Sequence, residues 1–187
     1  MNKLHLEYCS GLEWAEIVRK HVVPDATNGI NLGEHLLEVG PGPGLTTNVL
    51  ATLAPKMTVV ELDADLASAL ADRFQGSNVT VHRGDATATP FADSTFSSAI
   101  CLTMLHHLPT PAAQDRLFAE LNRLVRTGGT IMGSDSLDSP EFRAAHVDDI
   151  CTPVDPATLA ERLQAAGFTN VRVEPNRFAV AFWATAT

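Results

Sequence analysis

Three carboxylates, a glycine-dense turn and a pair of adjacent histidines are the groups in this sequence whose types and spacing could do chemistry. Glu38 stands two residues before Gly40 in the stretch Leu36-Leu37-Glu38-Val39-Gly40-Pro41-Gly42-Pro43-Gly44. The three glycines let the turn take left-handed dihedrals and let a ligand lie against the backbone, while Pro41 and Pro43 stiffen it. Amides at the start of a following helix would face that ligand, yet a carboxylate at Glu38 is unfavourable to a phosphate. Glu61 follows Gly40 by 21 residues, the spacing at which an acidic residue meets a ribose in nucleotide-binding α/β folds. Its two oxygens could accept from two hydroxyls. Asp85, in Gly84-Asp85-Ala86, offers an acceptor to an exocyclic amine such as that of adenine, with the Ala86 amide toward a ring nitrogen. Each group also has a plainer reading: a structural turn, a helix cap at Glu61 or Asp63, a loop aspartate. His106 and His107 have the ring pKa that general acid–base chemistry needs. His106 is expected to face the pocket and His107 to pack inward, the alternative being a structural role for both.

Positioning these groups takes alternating strands and helices. Apolar runs predict strands at 36–39, 57–62, 79–82, 96–102 and 130–134. Helices are expected at 45–53, from Asp63 or Asp65 to about Phe74, at 111–125 and at 156–166, with an amphipathic helix at 12–22 ended by Pro24 and the loop 25–33. Residues 1–10 and 135–154 show no regular pattern. Two closing strands, near 171–174 and 178–183, flank Pro175-Asn176-Arg177 and so form an antiparallel hairpin. Five rounds of strand and helix imply a doubly wound α/β fold, a seven-stranded and mostly parallel sheet with right-handed crossovers. Ligands then bind at the carboxyl ends of the strands near the switch point, where Glu38, Glu61, Asp85 and His106 fall. One domain is expected over 1–187, with 1–34 as a helical N-terminal cap and 135–154 as a variable acceptor-side loop.

Composition narrows the partners. A 187-residue chain that is 45% hydrophobic, 19% charged and carries a net charge of −9 is expected to be globular, without general affinity for nucleic acid or an anionic membrane surface. No apolar run is long enough to span a bilayer, and the first residues lack an apolar signal core, so a cytoplasmic location is expected. Cys9, Cys101 and Cys151 fit reduced thiols.

Taken together, Leu36–Thr47, Val59–Leu66, His82–Phe96, Ala99–Pro109 and Leu121–Asp135 resemble the class I S-adenosylmethionine-dependent methyltransferases, in the small-molecule, methyltransferase type 11-like branch. The resemblance covers about residues 35–135, with Ala160–Phe168 and the final hairpin in register. It implies a Rossmann-like fold, S-adenosyl-L-methionine as cofactor and in-line methyl transfer to a small-molecule acceptor. By the same resemblance, Glu38 and Gly40 hold the methionine part, Glu61 the ribose, and Asp85 with Ala86 the adenine. The backbone at Leu102 and Thr103 closes over the methionine end, and Pro41, Gly42, Gly44 and Leu62 complete the set. A cationic sulfonium with an ammonium suits a site ringed by Glu38, Glu61 and Asp85; a pyrophosphate does not. Ser97 and Thr127 depart from the family pattern, which often has Asp and Pro there, at structural positions.

The acceptor site is expected between Tyr8–Trp14 and the 135–153 loop, with Ser10, Trp14, Asp135, Asp138, His146 and Asp148 as wall residues and His106 as base or acceptor-orienting group. His146 with Asp148 and Asp149 lacks a third spaced ligand, so no metal is expected. Leu37–Thr47 and Glu61–Leu66 also resemble the rRNA adenine dimethylases, but Leu102-Thr103-Met104-Leu105 stands where those carry Asn/Asp-x-Pro-aromatic. A nicotinamide-dependent oxidoreductase would need a sixth-position glycine, here Leu45. A non-catalytic protein that binds the cofactor is the remaining alternative. The oligomeric state is not encoded in any motif.

Overall fold

The computed structural model describes residues 2–187, so Met1 lies outside it. Seven strands form one sheet: β1 (Leu36–Val39), β2 (Met57–Glu61), β3 (Val79–Arg83), β4 (Phe96–Leu102), β5 (Val125–Ser136), β6 (Thr169–Pro175) and β7 (Ala179–Thr185), in the order β3-β2-β1-β4-β5-β7-β6. The first five are parallel; β7 runs antiparallel to β5 and to β6. This is the mostly parallel α/β, Rossmann-like architecture with a C-terminal hairpin that the strand–helix alternation implies. Chain order reverses between β1 and β4, which puts the switch-point crevice at their carboxyl ends.

The helices are α1 (Lys3–Cys9), α2 (Leu12–Ile17), α3 (Val23–Thr27), α4 (Leu45–Leu50), α5 (Ala64–Arg73), α6 (Pro111–Leu124), α7 (Pro140–Ala145) and α8 (Pro156–Ala165). A π-helical turn, Val18–Val22, joins α2 to α3. The expected stop at Pro24 does not occur. Pro24 sits in the first turn of α3, where a missing N–H does no harm. Residues 2–10 and 140–145, unpatterned by sequence, form α1 and α7, each held by a side-chain cap: Asn2 accepts from His5 and Ser139 from Phe142. Asp63 caps α5 through the Asp65 and Leu66 amides.

Side chains alternate across the strands, and each sheet face buries its own core. Leu37, Val39, Ala99 and Ile131 pack with Leu117, Phe118, Leu121, Leu159 and Leu163 on one face. Leu36, Val59, Ile100 and Met132 pack with Val18, Val23, Leu50 and Trp183 on the other. Each fully buried leucine or phenylalanine contributes about 1.5–3 kcal/mol, so a sheet covered on both sides is the rigid support for the loops above it. Trp183 Nε1 donates to Ala26 O at 2.8 Å and fixes α3 against β7. Ser97 Oγ accepts from the His35 amide at 2.8 Å and bonds the Leu32 carbonyl at 2.9 Å, tying β4 to the segment before β1.

Candidate functional site

The turn after β1 is built from backbone that only small residues accept. Gly40 has φ +64°, and a Cβ there would stand 2.9 Å from the Met104 Cβ. Gly44 is the left-handed N-cap of α4, and a Cβ there would stand 2.4 Å from Leu70 Cδ2. Arg73 Nη1 donates to Pro43 O at 2.8 Å and pins the turn from α5.

Glu61 closes the turn from the other side. Its Oε2 accepts the Gly42 amide at 3.0 Å and its Oε1 the Asp63 amide at 2.9 Å. Burial pushes its pKa up, opposed by those two amides. Asp85 at the end of β3 is exposed, and its Oδ1 accepts from both the amide and the hydroxyl of Thr87 at 2.8 Å. Oδ2 makes no hydrogen bond among the described residues. A cavity of about 600 Å³ runs along these strand ends, lined by Gly40, Gly42, Glu61, Leu62, Asp85 and Ala86 together with Asp63, Asp65, Leu66, Met104, His107, Asp149 and Ile150. Five carboxylates face it, and among its lining residues there is no Lys or Arg.

Glu38 is placed differently from the sequence expectation. It shares a sheet face with Leu36, under α4, and both its oxygens accept threonine hydroxyls, from Thr46 and, at 2.6 Å, from Thr47. It is 1% exposed and lines neither cavity at the strand ends. Burial pushes its pKa up to about 7 against the two hydroxyl bonds. Its position is that of a strut under the glycine turn. Gly44 likewise supports the turn from the start of α4 without lining a cavity.

A second cavity, about 200 Å³, adjoins the first at Gly40, Gly42, Met104 and His107. Pro41, Leu102, Thr103, Trp14 and His106 line it, with His5, His107, Phe142 and His146. Thr103, directly after β4, has φ +51°, a left-handed conformation that costs a β-branched residue about 1–3 kcal/mol, and its amide is tied to Ser134 O at 2.7 Å. Among the expected wall residues, Trp14 and His146 are at the cavity. Asp135 is wholly buried beneath His106, Asp138 pairs with Arg143 on the surface, and Ser10 and Asp148 are exposed.

The expectation that His107 would turn inward while His106 faced the pocket is replaced by both rings lining the cavity. They lie on a 3₁₀ turn, Leu105–His107, whose residues follow at about 120°, and their ring centroids are 4.2 Å apart. His106 Nδ1 meets Asp135 Oδ1 at 2.6 Å and its backbone amide meets Oδ2 at 3.1 Å. His5, from α1, and His146, after α7, come against them, with centroids of His5 and His146 4.3 Å apart. Burial, and then the neighbouring imidazoles, push the pKa of His5 down to about 4 and that of His107 to about 3. The N-terminal segment is held over the cavity by the Asn2 amide on Asp149 Oδ2 at 2.6 Å and the Asn2 side chain on Ala145 O and Val147 O. His5 went unread in the sequence because its partners lie more than a hundred residues away.

Residues 37–133, just over half of the chain, match the family described as Methyltransferase domain. The chain belongs to this family. Over 86 residues it is 36% identical to ribosomal RNA small subunit methyltransferase A of Acidithiobacillus ferrooxidans, covering 46% of this chain and 32% of that protein; the chain spans 22–32% of the length of such curated relatives. Its fold is that of a solved S-adenosylmethionine-dependent methyltransferase from Aquifex aeolicus, with 16% identity over 100% of each chain and a TM-score of 0.77. It also matches Haemonchus contortus phosphoethanolamine N-methyltransferase 2, solved with S-adenosyl-L-methionine, at 14% identity, a TM-score of 0.74, and coverage of 94% of this chain and 53% of that one. The fold is the class I methyltransferase fold of these structures. The larger cavity would suit S-adenosyl-L-methionine: its wall is acid-lined, its cradle at Gly40 is free of a Cβ, and Glu61 and Asp85 offer carboxylate acceptors. No described helix is long and apolar enough to cross a membrane.

Proposed function

We propose that this chain transfers the methyl group of S-adenosyl-L-methionine to a small-molecule acceptor held in the 200 Å³ cavity, and that the cofactor lies in the 600 Å³ cavity. The observation that carries the reading is the wall of five carboxylates with no Lys or Arg, which favours a cationic nucleoside over a dinucleotide pyrophosphate. Glu61 would accept the ribose hydroxyls, which its spare lone pairs allow, and Asp85 with the Ala86 amide would hold the adenine. Gly40, Pro41, Gly42, Leu102 and Thr103 would bound the methionine end, where the two cavities meet. When bound, the cofactor supplies a carbon already activated by its sulfonium.

The residues of the chain then have to align and desolvate the reactants, which recovers about 7–11 kcal/mol in well-oriented systems. Trp14, Phe142 and Thr103 wall off the acceptor cavity. His106, oriented by Asp135, presents Nε2 to that region and would orient the acceptor or take its proton. The small cavity, the net charge of −9 and Leu102–Leu105 in place of a base-cradling motif all favour a small acceptor over nucleic acid. No nucleic acid or membrane partner is part of the proposal, and the reading treats residues 1–34 as a cap and 135–154 as the acceptor-side loop of one domain in the cytoplasm. Calorimetry with S-adenosylmethionine, S-adenosylhomocysteine and NADH tests the reading: binding of the first two and not the third is expected, and binding of NADH alone would overturn it.

A further inference from the structure

Three buried ring nitrogens without a hydrogen-bond partner converge beside the acceptor cavity: His5 Nδ1, His106 Nε2 and His146 Nε2. With His107, these residues bring one ligand atom each to within 4.8 Å of one another. The tautomers of two are fixed by what lies behind them. His106 Nδ1 faces the Asp135 carboxylate at 2.6 Å and His146 Nδ1 faces Phe142 O at 2.7 Å. A carboxylate and a carbonyl only accept, so both protons sit on Nδ1 and both Nε2 atoms turn a bare lone pair inward. His5 Nδ1 is 3.7 Å from Asp149 Oδ2, beyond hydrogen-bond reach. The two inward Nε2 lone pairs cannot satisfy one another, and leaving such groups unpaired in the interior is costly. The tautomer of His5 is not fixed by a partner, so its Nδ1 is free to present a third lone pair, and one cation would then satisfy all three.

We propose that His5, His106 and His146 bind one divalent late-first-row transition cation, with Zn²⁺ the best match, at a site whose fourth position opens beside His107 on the acceptor cavity. Neutral imidazoles suit Zn²⁺, and three protein ligands with an open position is the arrangement of zinc sites that handle a substrate. The Asp135 carboxylate and the Phe142 carbonyl behind the rings are the outer partners that such ligands ordinarily have. At Zn–N of about 2.0–2.1 Å the nitrogens would stand ~3.4 Å apart, so ligand atoms now within 4.8 Å of one another close by at most ~1.4 Å on binding. His5 is on the surface helix α1 and His146 caps the short helix α7, both able to make that adjustment. An acceptor X–H bound at the open position would release its proton to solvent; the S–CH₃ bond then breaks as X–CH₃ forms and the thioether leaves neutral. That consequence rests on the methyl-transfer reading, whereas the metal site does not.

The test uses the full chain, freed of metal by a chelator and titrated with Co²⁺, then Zn²⁺. One Co²⁺ per chain is expected, with the intense ligand-field bands of a low-coordinate nitrogen site that disappear as Zn²⁺ displaces it. His5→Gln and His146→Gln should each weaken Co²⁺ binding at least tenfold, while the exposed His21→Gln leaves it unchanged. S-adenosylhomocysteine binding, measured in every variant, reports whether the fold is intact; where one variant does not fold, the other carries the comparison. Absence of Co²⁺ binding, a weak octahedral spectrum, or binding equal in wild type and both cluster variants would overturn the site. Metal binding without methyl transfer to any acceptor would leave the site standing and remove the activity.

Discussion

The carboxylate of Asp135 grips His106 twice, through the ring Nδ1 at 2.6 Å and through the backbone amide at 3.1 Å. Asp135 is 0% exposed and His106 2%, so the last residues of β4's loop and of β5 share one buried link. The pair sets both the tilt and the tautomer of the ring. Whether Nε2 binds a cation or takes a proton, it must be the bare nitrogen. Asp135→Asn would turn an amide N–H toward Nδ1 and push the ring proton to Nε2. Turnover is expected to fall about 10–100-fold with the cofactor dissociation constant unchanged in calorimetry; an equal loss in both would make Asp135 a general structural residue.

Glu61 is the residue on which the cofactor assignment depends. Glu61→Gln removes the charge and gives one of the two amides of Gly42 and Asp63 a donor to face. Cofactor affinity is expected to drop at least tenfold, since charge-assisted bonds to ribose become neutral ones. Wild-type affinity in equilibrium binding would refute the ribose role.

Glu38 makes stability depend on pH. Its carboxyl is raised to about 7 in the folded chain, chiefly by burial, from about 4.3 in an unfolded one. Between those values the native state holds a proton that the unfolded state has lost, so stability is full below pH 4 and falls as pH rises through 7. The fall is worth about 4 kcal/mol. His5 and His107, whose pKa values are lowered, make stability rise with pH over part of the same range, so the Glu38 contribution is read as the difference between wild type and Glu38→Gln, whose amide stays neutral. Urea unfolding at pH 5 and pH 8 without cofactor is expected to show that the wild type loses stability relative to Glu38→Gln on going to pH 8; identical profiles in the two would contradict the assignment.

The fold was largely legible because β1, β2 and β4 are buried on both faces and read as continuous apolar runs. Strand ends at Glu61, Asp85 and Leu102 followed directly, and with them much of the lining of the 600 Å³ cavity proposed for the cofactor. What escaped was set by tertiary contact. Helix α1 buries none of its residues fully and is held by Asn2 on Asp149, a pairing that no local pattern carries. The π turn before Pro24 let a helix pass a residue that ordinarily stops one. Glu38, read as a ligand group from its place before Gly40, points under α4 because strand alternation gives it the face of Leu36. The histidine cluster needed four positions from three distant segments, and only the folded chain brings them together.

Labelled methyl transfer tests the central claim most directly. The full chain, incubated with methyl-labelled S-adenosyl-L-methionine, a low-molecular-weight metabolite extract and, separately, total RNA, is expected to label a component of the extract and not the RNA. Glu61→Gln should reduce that label at least tenfold at limiting cofactor. Label confined to RNA would contradict the small-molecule acceptor, and cofactor binding without label in either fraction would contradict methyl transfer itself.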